Sequence, residues 1–307
     1  MPKEPARSAI MTSLAGPDLR PVAVKNVLVV DVDPEIKALL STIFNLETHA
    51  IHYAPNNHVA LDWTRAKAFD LILTSEKTSA REDIELLAQI RRLRPHTRLI
   101  ILTAEGTPAD VIAAMRKHAF SYFSKPFSLD TLADMIRKAA EEPVWDDGIE
   151  VVAATAEWIR LMARCDLKTA ERLLHFLNEM ADLPDPEKTQ VAAAFREMLI
   201  NAIEHGAGLD PTKEVDIEYV RAHRMVACRI TDPGPGFRLE EIAHAAVANP
   251  ADDPIRHVAL REQKGMRPGG FGVLIAQQLV DQIIYGQNGN QVFLIKYLPG
   301  AEANSAS

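Results

Sequence analysis

The feature that most constrains the fold is the alternation of apolar runs and amphipathic segments in the first half of the chain. A run rich in branched residues, Val24 to Asp31, is followed by a segment of helical period from Pro34 to Leu46. Three further apolar runs follow, at Phe69 to Thr74, Arg98 to Thr103 and Ser121 to Phe127. Such alternation predicts a doubly wound α/β domain, with a parallel sheet that is covered by helices on both faces.

Polar residues collect where these runs end. Asp31, Asp33, Ser75, Thr103 and Lys125 all fall at or just beyond the carboxyl end of an expected strand. Ligands of open parallel sheets sit beyond those ends. We therefore expect these five side chains to surround one pocket.

The segment from about Asn26 to Glu142 resembles a response-regulator receiver domain, which has a flavodoxin-like fold. Thr103 matches that family's hydroxyl residue after the fourth strand, and Lys125-Pro126 matches its lysine-proline pair. Tyr122 matches its aromatic switch position. The resemblance implies the fold of this whole segment.

Two positions depart from the receiver pattern. The family carries adjacent acids after the first strand, where this chain has Asp31 and Val32, with Asp33 one residue on; Ser75 stands where the family has its phosphoacceptor aspartate. Aspartyl phosphorylation needs a carboxylate nucleophile and oxygen ligands for magnesium. Recruitment of Asp33 or Glu76 as a substitute acid stays open. We interpret the domain as a degenerate receiver that serves docking or dimerisation.

Composition limits the remaining choices. The 307 residues are 47% hydrophobic and 25% charged, which suits about two globular domains. The net charge of −8 gives no electrostatic reason to bind nucleic acid or an acidic membrane. The sequence has neither a membrane-spanning apolar run nor a signal-peptide core, so we expect a cytoplasmic protein.

The expected organisation has five parts. A disordered segment (1–24) precedes the receiver-like domain (25–142), and a disordered tail (300–307) ends the chain. A proline and an Asp-Gly pair place a linker at 143–148. The second domain (149–299) begins with two strand-like runs and an amphipathic helix from Leu167 to Leu183.

A polar stripe marks the next helix, whose central sequence is FREMLINAIEHG. Glu197, Asn201 and His205 recur every four residues with Glu204 beside them, while the other positions are apolar. We expect this helix to begin near Pro184 or Pro186, with Asp185 as its cap, and to end at His205-Gly206. Buried polar groups need partners, which a metal and phosphates would supply. The stripe therefore indicates the wall of a site.

Two glycine-rich turns follow. DPGPGF provides a carboxylate, Asp232, followed by Gly234 and Gly236, and RPGGFG opens an apolar helix whose amino end suits phosphate. The second turn contains Arg267, Gly269, Gly270 and Gly272. A basic segment between the turns, Ala248 to Met266, has the position of a lid.

In this order, the stripe and the two turns resemble the nucleotide pocket of the histidine-kinase-like ATPase superfamily, specifically its anti-sigma-factor serine kinases. The resemblance covers about Ile149 to Leu298 and implies an α/β sandwich of Bergerat type that binds ATP and Mg²⁺. It implies that Asn201 ligates magnesium, that Glu197 acts as general base on a protein hydroxyl and that Asp232 accepts a hydrogen bond from the purine amine. We expect Glu204 and His205 either to line the pocket or to finish the helix.

The leading hypothesis is a bacterial signalling protein that phosphorylates a serine or threonine of a protein partner, such as an anti-sigma antagonist. A second is a non-catalytic, ATP-bound module that sequesters a sigma factor or another partner. A third is a histidine-kinase-type catalytic domain that acts on a separate partner. The third lacks the long helical hairpin for a phosphoacceptor, and we expect His175 to be a partly buried helix histidine. Homodimerisation stays open.

Overall fold

The structure is a computed structural model that describes residues 24–31, 33–75, 77–141, 146–155, 157–236, 263 and 271–299. Residues 1–23 and 300–307 of the expected disordered segments and residues 143–145 of the expected linker lie outside these ranges. Within them, no helix combines the length and apolar character that crossing a membrane requires.

The first sheet has five parallel strands in the order β2-β1-β3-β4-β5. In chain order they are β1 Lys25–Val30, β2 His49–Ala54, β3 Leu71–Leu73, β4 Arg98–Thr103 and β5 Ser121–Ser124. The accompanying helices are α1 Pro34–Ile43, α2 Asn57–Ala66, α3 Ala80–Leu93, α4 Pro108–Arg116 and α5 Leu129–Glu141. The expected doubly wound parallel sheet is confirmed.

Alternation along the strands produces two apolar layers. Val27 and Val29 of β1 join the layer under α1 and α5, whereas Leu28 and Val30 join the layer that contains residues of α2, α3 and α4. All four side chains are buried. Both faces of the sheet are therefore covered, as near-continuous apolar strands require.

In its described residues, the second domain is a six-stranded antiparallel sheet, in the order β10-β11-β9-β8-β7-β6, with three α-helices packed against it. Its strands are β6 Ile149–Ala154, β7 Trp158–Arg164, β8 Glu214–Ala222, β9 Met225–Thr231, β10 Gln282–Tyr285 and β11 Gln291–Tyr297. Its helices are α6 Leu167–Met180, α7 Asp185–Asn201 and α8 Gly272–Leu279. The expected α/β sandwich is confirmed.

Several expected helix limits were wrong. Helix α1 stops at Ile43 because Phe44 adopts extended backbone, and α6 stops at Met180. Asp185 is the first residue of α7 rather than its cap; the capping position is Pro184, which has no side-chain acceptor. Helical backbone continues to Gly206, as expected, but Ala202–Gly206 form a π-helical turn instead of α-helix.

The two domains share one apolar layer. The buried residues on the α2–α4 side of the first sheet are continuous with those between the second sheet and helices α6 and α7. Helix α6 packs against α4 and β5 of the first domain and against α7 of the second. One helix thus contacts both the receiver-like sheet and the helix that carries the polar stripe.

Candidate functional site

Helix α7 holds the polar stripe against the start of α8. Glu197 is 31% exposed, and its neighbour Arg196 donates to Glu197 Oε1 at 3.3 Å. A methyl group at Gly272 would lie 2.8 Å from Glu197 Oε2 and 3.4 Å from Asn201 Nδ2. The absence of a side chain at Gly272 therefore lets α8 begin beside both polar groups.

Asp232 is fixed at the end of β9. Its Oδ1 accepts from the Gly234 N–H at 2.8 Å, which closes the turn. Its own N–H donates to Asn290 O at 2.9 Å, and Asn290 Nδ2 donates to Asp232 O at 3.2 Å. Burial raises the pKa of the Asp232 carboxyl, and the backbone hydrogen bonds oppose that shift. The carboxylate is therefore held in one place and partly removed from water.

The end of the polar helix touches this turn. A side chain at Gly206 would overlap the carboxyl group of Asp232, and one at Gly234 would lie 2.5 Å from Gly206 O. Gly236 has φ +80°, and a side chain there would overlap Asn288 O. Glycines at all three positions allow the helix end, the turn and the β10–β11 loop to meet closely.

The π-helical turn changes the positions of Glu204 and His205 around the helix axis relative to Glu197 and Asn201. The Ala207 N–H donates to Ala202 O at 2.9 Å, a five-residue spacing that widens the helix by one residue. His205 consequently lies on the exposed side, while Glu204 is half-buried. The regular four-residue stripe ends at Asn201, and nucleotide contacts of Glu204 and His205 stay predictions.

The structure places Gly272 beside Glu197 and Asn201, and it places Asp232 and Gly234 against Gly206 at the end of the same helical segment. Arg267, Gly269 and Gly270 lie outside the described residues, as does the expected lid apart from Gln263. An amide oxygen at Asn201 is a hard ligand of the kind that magnesium prefers.

The polar residues at the strand ends of the first domain are engaged in separate local contacts and do not form a cluster of acids. Lys77 Nζ lies 3.1 Å from Asp31 Oδ1, and the Ser75 hydroxyl donates to Asp31 O at 2.7 Å. Asp33 caps α1 by accepting from the Glu35 N–H at 2.9 Å. The described residues contain no group of three potential His, Cys, Asp or Glu metal ligands.

Thr103 and Lys125, the other residues expected in this pocket, differ in their surroundings. The Thr103 hydroxyl donates to Glu105 O at 2.8 Å, and Lys125 is exposed. Glu76, the suggested substitute acid, lies outside the described residues. No sequence signal pointed to Lys77, because an isolated lysine after a strand is common on protein surfaces.

A polar contact between the domains runs along β5, at the edge of its sheet, and along the two residues that precede it. The Arg172 guanidinium of α6 donates to Phe120 O at 2.9 Å and to Ala119 O at 3.2 Å. His175 Nε2 lies 2.7 Å from Tyr122 O. Side chains of α6 therefore bind backbone groups that an edge strand leaves unpaired.

His175 is half-buried, as expected of a helix histidine, and its ring lies 4.2 Å from that of Phe123 between centroids. Burial lowers the pKa of its imidazole. Sequence reasoning missed the contact with β5. The only signal was the spacing of Arg172, His175 and Glu179, which places three polar side chains on the otherwise apolar face of an amphipathic helix.

Comparisons with known proteins match the two domains separately. A family model described as a response regulator receiver domain matches residues 27–137. Another, described as a histidine kinase-like ATPase domain, matches residues 163–296. The first match covers the parallel sheet, and the second covers the polar stripe and both glycine turns.

Curated relatives resemble part of the chain. Sporulation initiation phosphotransferase F of Bacillus subtilis is 31% identical over 114 residues, which are 37% of this chain and 92% of that protein. Regulatory protein AtoC of Escherichia coli is 29% identical over 119 residues, 39% of this chain but only 26% of that protein. A crystal structure of a receiver domain protein from Methanospirillum hungatei is 25% identical, covers 38% of this chain and 93% of that one, and has a TM-score of 0.33.

Proposed function

The chain joins a response regulator receiver domain (27–137) to a histidine kinase-like ATPase domain (163–296), and from that premise we propose that it is a signalling kinase for a protein serine or threonine. The observation that carries the proposal is that Gly272 lies beside both Glu197 and Asn201, while Gly206, at the end of the same helical segment, packs against Asp232. A base and a metal ligand on one helix face can address an attacking hydroxyl and a phosphate together.

Each side chain then has a defined part. Asn201 would hold Mg²⁺ through its amide oxygen, and the Asp232 carboxylate would accept a hydrogen bond from the adenine amine. Mg-ATP, when bound, supplies the phosphoryl group. Glu197 would take the proton of the partner's hydroxyl, for which its carboxylate is partly open to solvent. The partner in this proposal is an anti-sigma antagonist or a protein of similar function.

The contact between Arg196 and Glu197 favours a second candidate. The Arg196 guanidinium, 3.3 Å from Glu197 Oε1, takes up a hydrogen-bonding position that the partner's hydroxyl would need, so the domain could hold ATP and sequester a partner without transfer. A sigma factor is the partner expected in that case. The two functions differ in whether phosphate reaches the partner.

Incubation of the full chain with γ-labelled ATP, Mg²⁺ and the protein encoded beside it separates these functions. We expect acid-stable, base-labile label on the partner, as phosphoserine or phosphothreonine gives. Glu197→Gln should lower transfer by about a hundredfold or more while changing ATP affinity little. Arg196→Gln is the matched control and should retain transfer.

Three results would contradict the kinase proposal. ATP binding without transfer would favour the sequestering module, and acid-labile, base-stable label on the partner would favour histidine phosphorylation. Equal transfer by Glu197→Gln and the parent would remove the base assignment. Asn201→Ala and Asp232→Asn should weaken ATP binding itself.

A further inference from the structure

A second cavity lies in the ATPase domain where α6 and α7 diverge above the sheet. Its volume is about 230 Å³. Leu174 and Leu177 of α6 form one wall, and Val191 and Phe195 of α7 form the other. This opening lies on the side of α7 that packs toward α6, whereas Glu197 and Asn201 face α8. It is therefore separate from the proposed nucleotide pocket.

The floor of the cavity carries an unsatisfied polar group. Tyr219 of β8 and Cys228 of β9 are paired across the sheet and line the cavity from below. Tyr219 is 6% exposed, and its hydroxyl has no hydrogen-bond partner in the part of the chain that the structure describes. A buried hydroxyl without a partner destabilises the fold, so a small displacement that gives it an acceptor is favourable.

The rim of the cavity is positively charged. Lys188 and Arg196, two turns apart on α7, both line it, and no acidic side chain does. Arg196 is paired with Glu197, whereas the Lys188 ammonium has no hydrogen bond or ion pair within the described ranges. An apolar interior with a cation at its mouth is complementary to an amphiphile that has an anionic head group.

We propose that this cavity binds a small amphiphilic carboxylate whose apolar body lies between α6 and α7 and whose head group pairs with Lys188. The size sets the class of ligand. A 150 Å³ protein cavity holds the six carbons of benzene, so 230 Å³ holds about nine non-hydrogen atoms. A saturated carboxylate of about eight carbons matches that volume when its head group remains at the rim.

The proposal is tested with the full chain and octanoate, followed by calorimetry and by thermal unfolding. We expect saturable binding at one site and a melting temperature that rises with octanoate concentration. The neutral analogue 1-octanol should bind about tenfold more weakly, since it lacks the charge that Lys188 recognises. Non-saturable octanoate binding, or equal affinity for the two compounds, would overturn the proposal.

Two variants locate the site. Ala192→Leu places a larger side chain in the cavity wall and should abolish binding of both compounds, while Ala38→Leu on exposed α1 should not.

Lys188→Met should weaken octanoate binding about tenfold and leave 1-octanol binding unchanged, whereas Lys117→Met, an exposed control, should change neither. Undiminished octanoate binding by Lys188→Met would refute the assignment even if Ala192→Leu failed to fold. Occupation of the cavity by a segment of the chain itself would appear as no binding by the parent, and it would also overturn the proposal.

Discussion

The Glu179 carboxylate of α6 accepts hydrogen bonds from both the backbone N–H of Ser124, at 3.0 Å, and its hydroxyl, at 2.7 Å. Ser124 ends β5 and directly precedes Lys125. Helix α6 in turn packs on α7, which carries Glu197 and Asn201. Helix α6 thereby joins the carboxyl end of β5 to α7, the helix that carries the polar stripe.

Glu179→Ala tests the strength of this connection. The substitution leaves the Ser124 N–H without its acceptor in a half-buried position, so the free energy of unfolding should fall by about 2 kcal/mol. Urea unfolding followed by circular dichroism measures the change.

Glu171→Ala is the matched control on the same helix. Glu171 pairs with Lys138 of α5 at 2.6 Å, but both side chains are more than a third exposed. An exposed ion pair contributes about 0–1 kcal/mol, so this variant should be nearly as stable as the parent. Equal destabilisation by the two variants would contradict the importance assigned to Glu179.

Gly206→Ala tests the contact between the helix end and the Asp232 turn. The added methyl group would overlap the carboxyl group of Asp232 and would lie 2.6 Å from its Cβ, so the whole residue must move. Because Asn290 holds the backbone of Asp232, we expect ATP affinity to fall by about tenfold or more. Titration with a fluorescent ATP analogue measures this.

Gly208→Ala provides the control two residues later. A methyl group there has open space around it, but the backbone has φ +72°. It should therefore reduce stability by about 1 kcal/mol and leave ATP affinity unchanged. Weakened ATP binding by Gly208→Ala to the same extent would show that general destabilisation, rather than displacement of Asp232, explains the effect at Gly206.

The fold and the candidate site could be predicted from the sequence only in part. Apolar runs predicted four of the five strands of the first sheet but not β2, His49–Ala54. The fold class could still be predicted, because strand alternation and helix period are local properties. The four-residue spacing of the stripe lies on regular α-helix as far as Asn201, and no local pattern in the sequence predicted the π-helical turn that follows at Ala202–Gly206. The contact of Glu179 with Ser124 joins residues 55 positions apart, and no local pattern predicts such a pair.

Asp83 should make stability depend on pH. This carboxyl in α3 is fully buried, and it accepts from Asn57 Nδ2 at 2.7 Å and from the Thr78 hydroxyl at 2.9 Å. Burial raises its pKa to about 6, although these hydrogen bonds lower it in part. A folded-state pKa above the unfolded value means that the native state binds the proton more tightly.

The raised pKa of Asp83 predicts that the stability of the fold falls as pH rises. The stabilising contribution of Asp83 is complete below its unfolded pKa of 3.8 and is lost as pH rises through about 6. Between pH 7 and pH 5 the free energy of unfolding should therefore gain about 1 kcal/mol from this group. Asp83→Asn should remove that gain, and the difference between the two pH profiles in urea unfolding measures it. Parallel profiles for parent and variant would contradict the raised pKa.

Acetyl phosphate with Mg²⁺ should not phosphorylate the receiver domain of this chain. Ser75 offers a hydroxyl in place of a carboxylate nucleophile, and its oxygen already donates to Asp31 O. Lys77 pairs with Asp31, and Asp33 caps α1. Neither of these acids, which Val32 separates in the sequence, is therefore free to complete a magnesium site.

After incubation, we expect no hydroxylamine-sensitive label on the parent. The matched variant Val32→Asp/Ser75→Asp supplies both missing acids and should gain such label. Label on the parent would show that another acid of this pocket accepts phosphate, and the interpretation of the domain as a docking module would then be wrong.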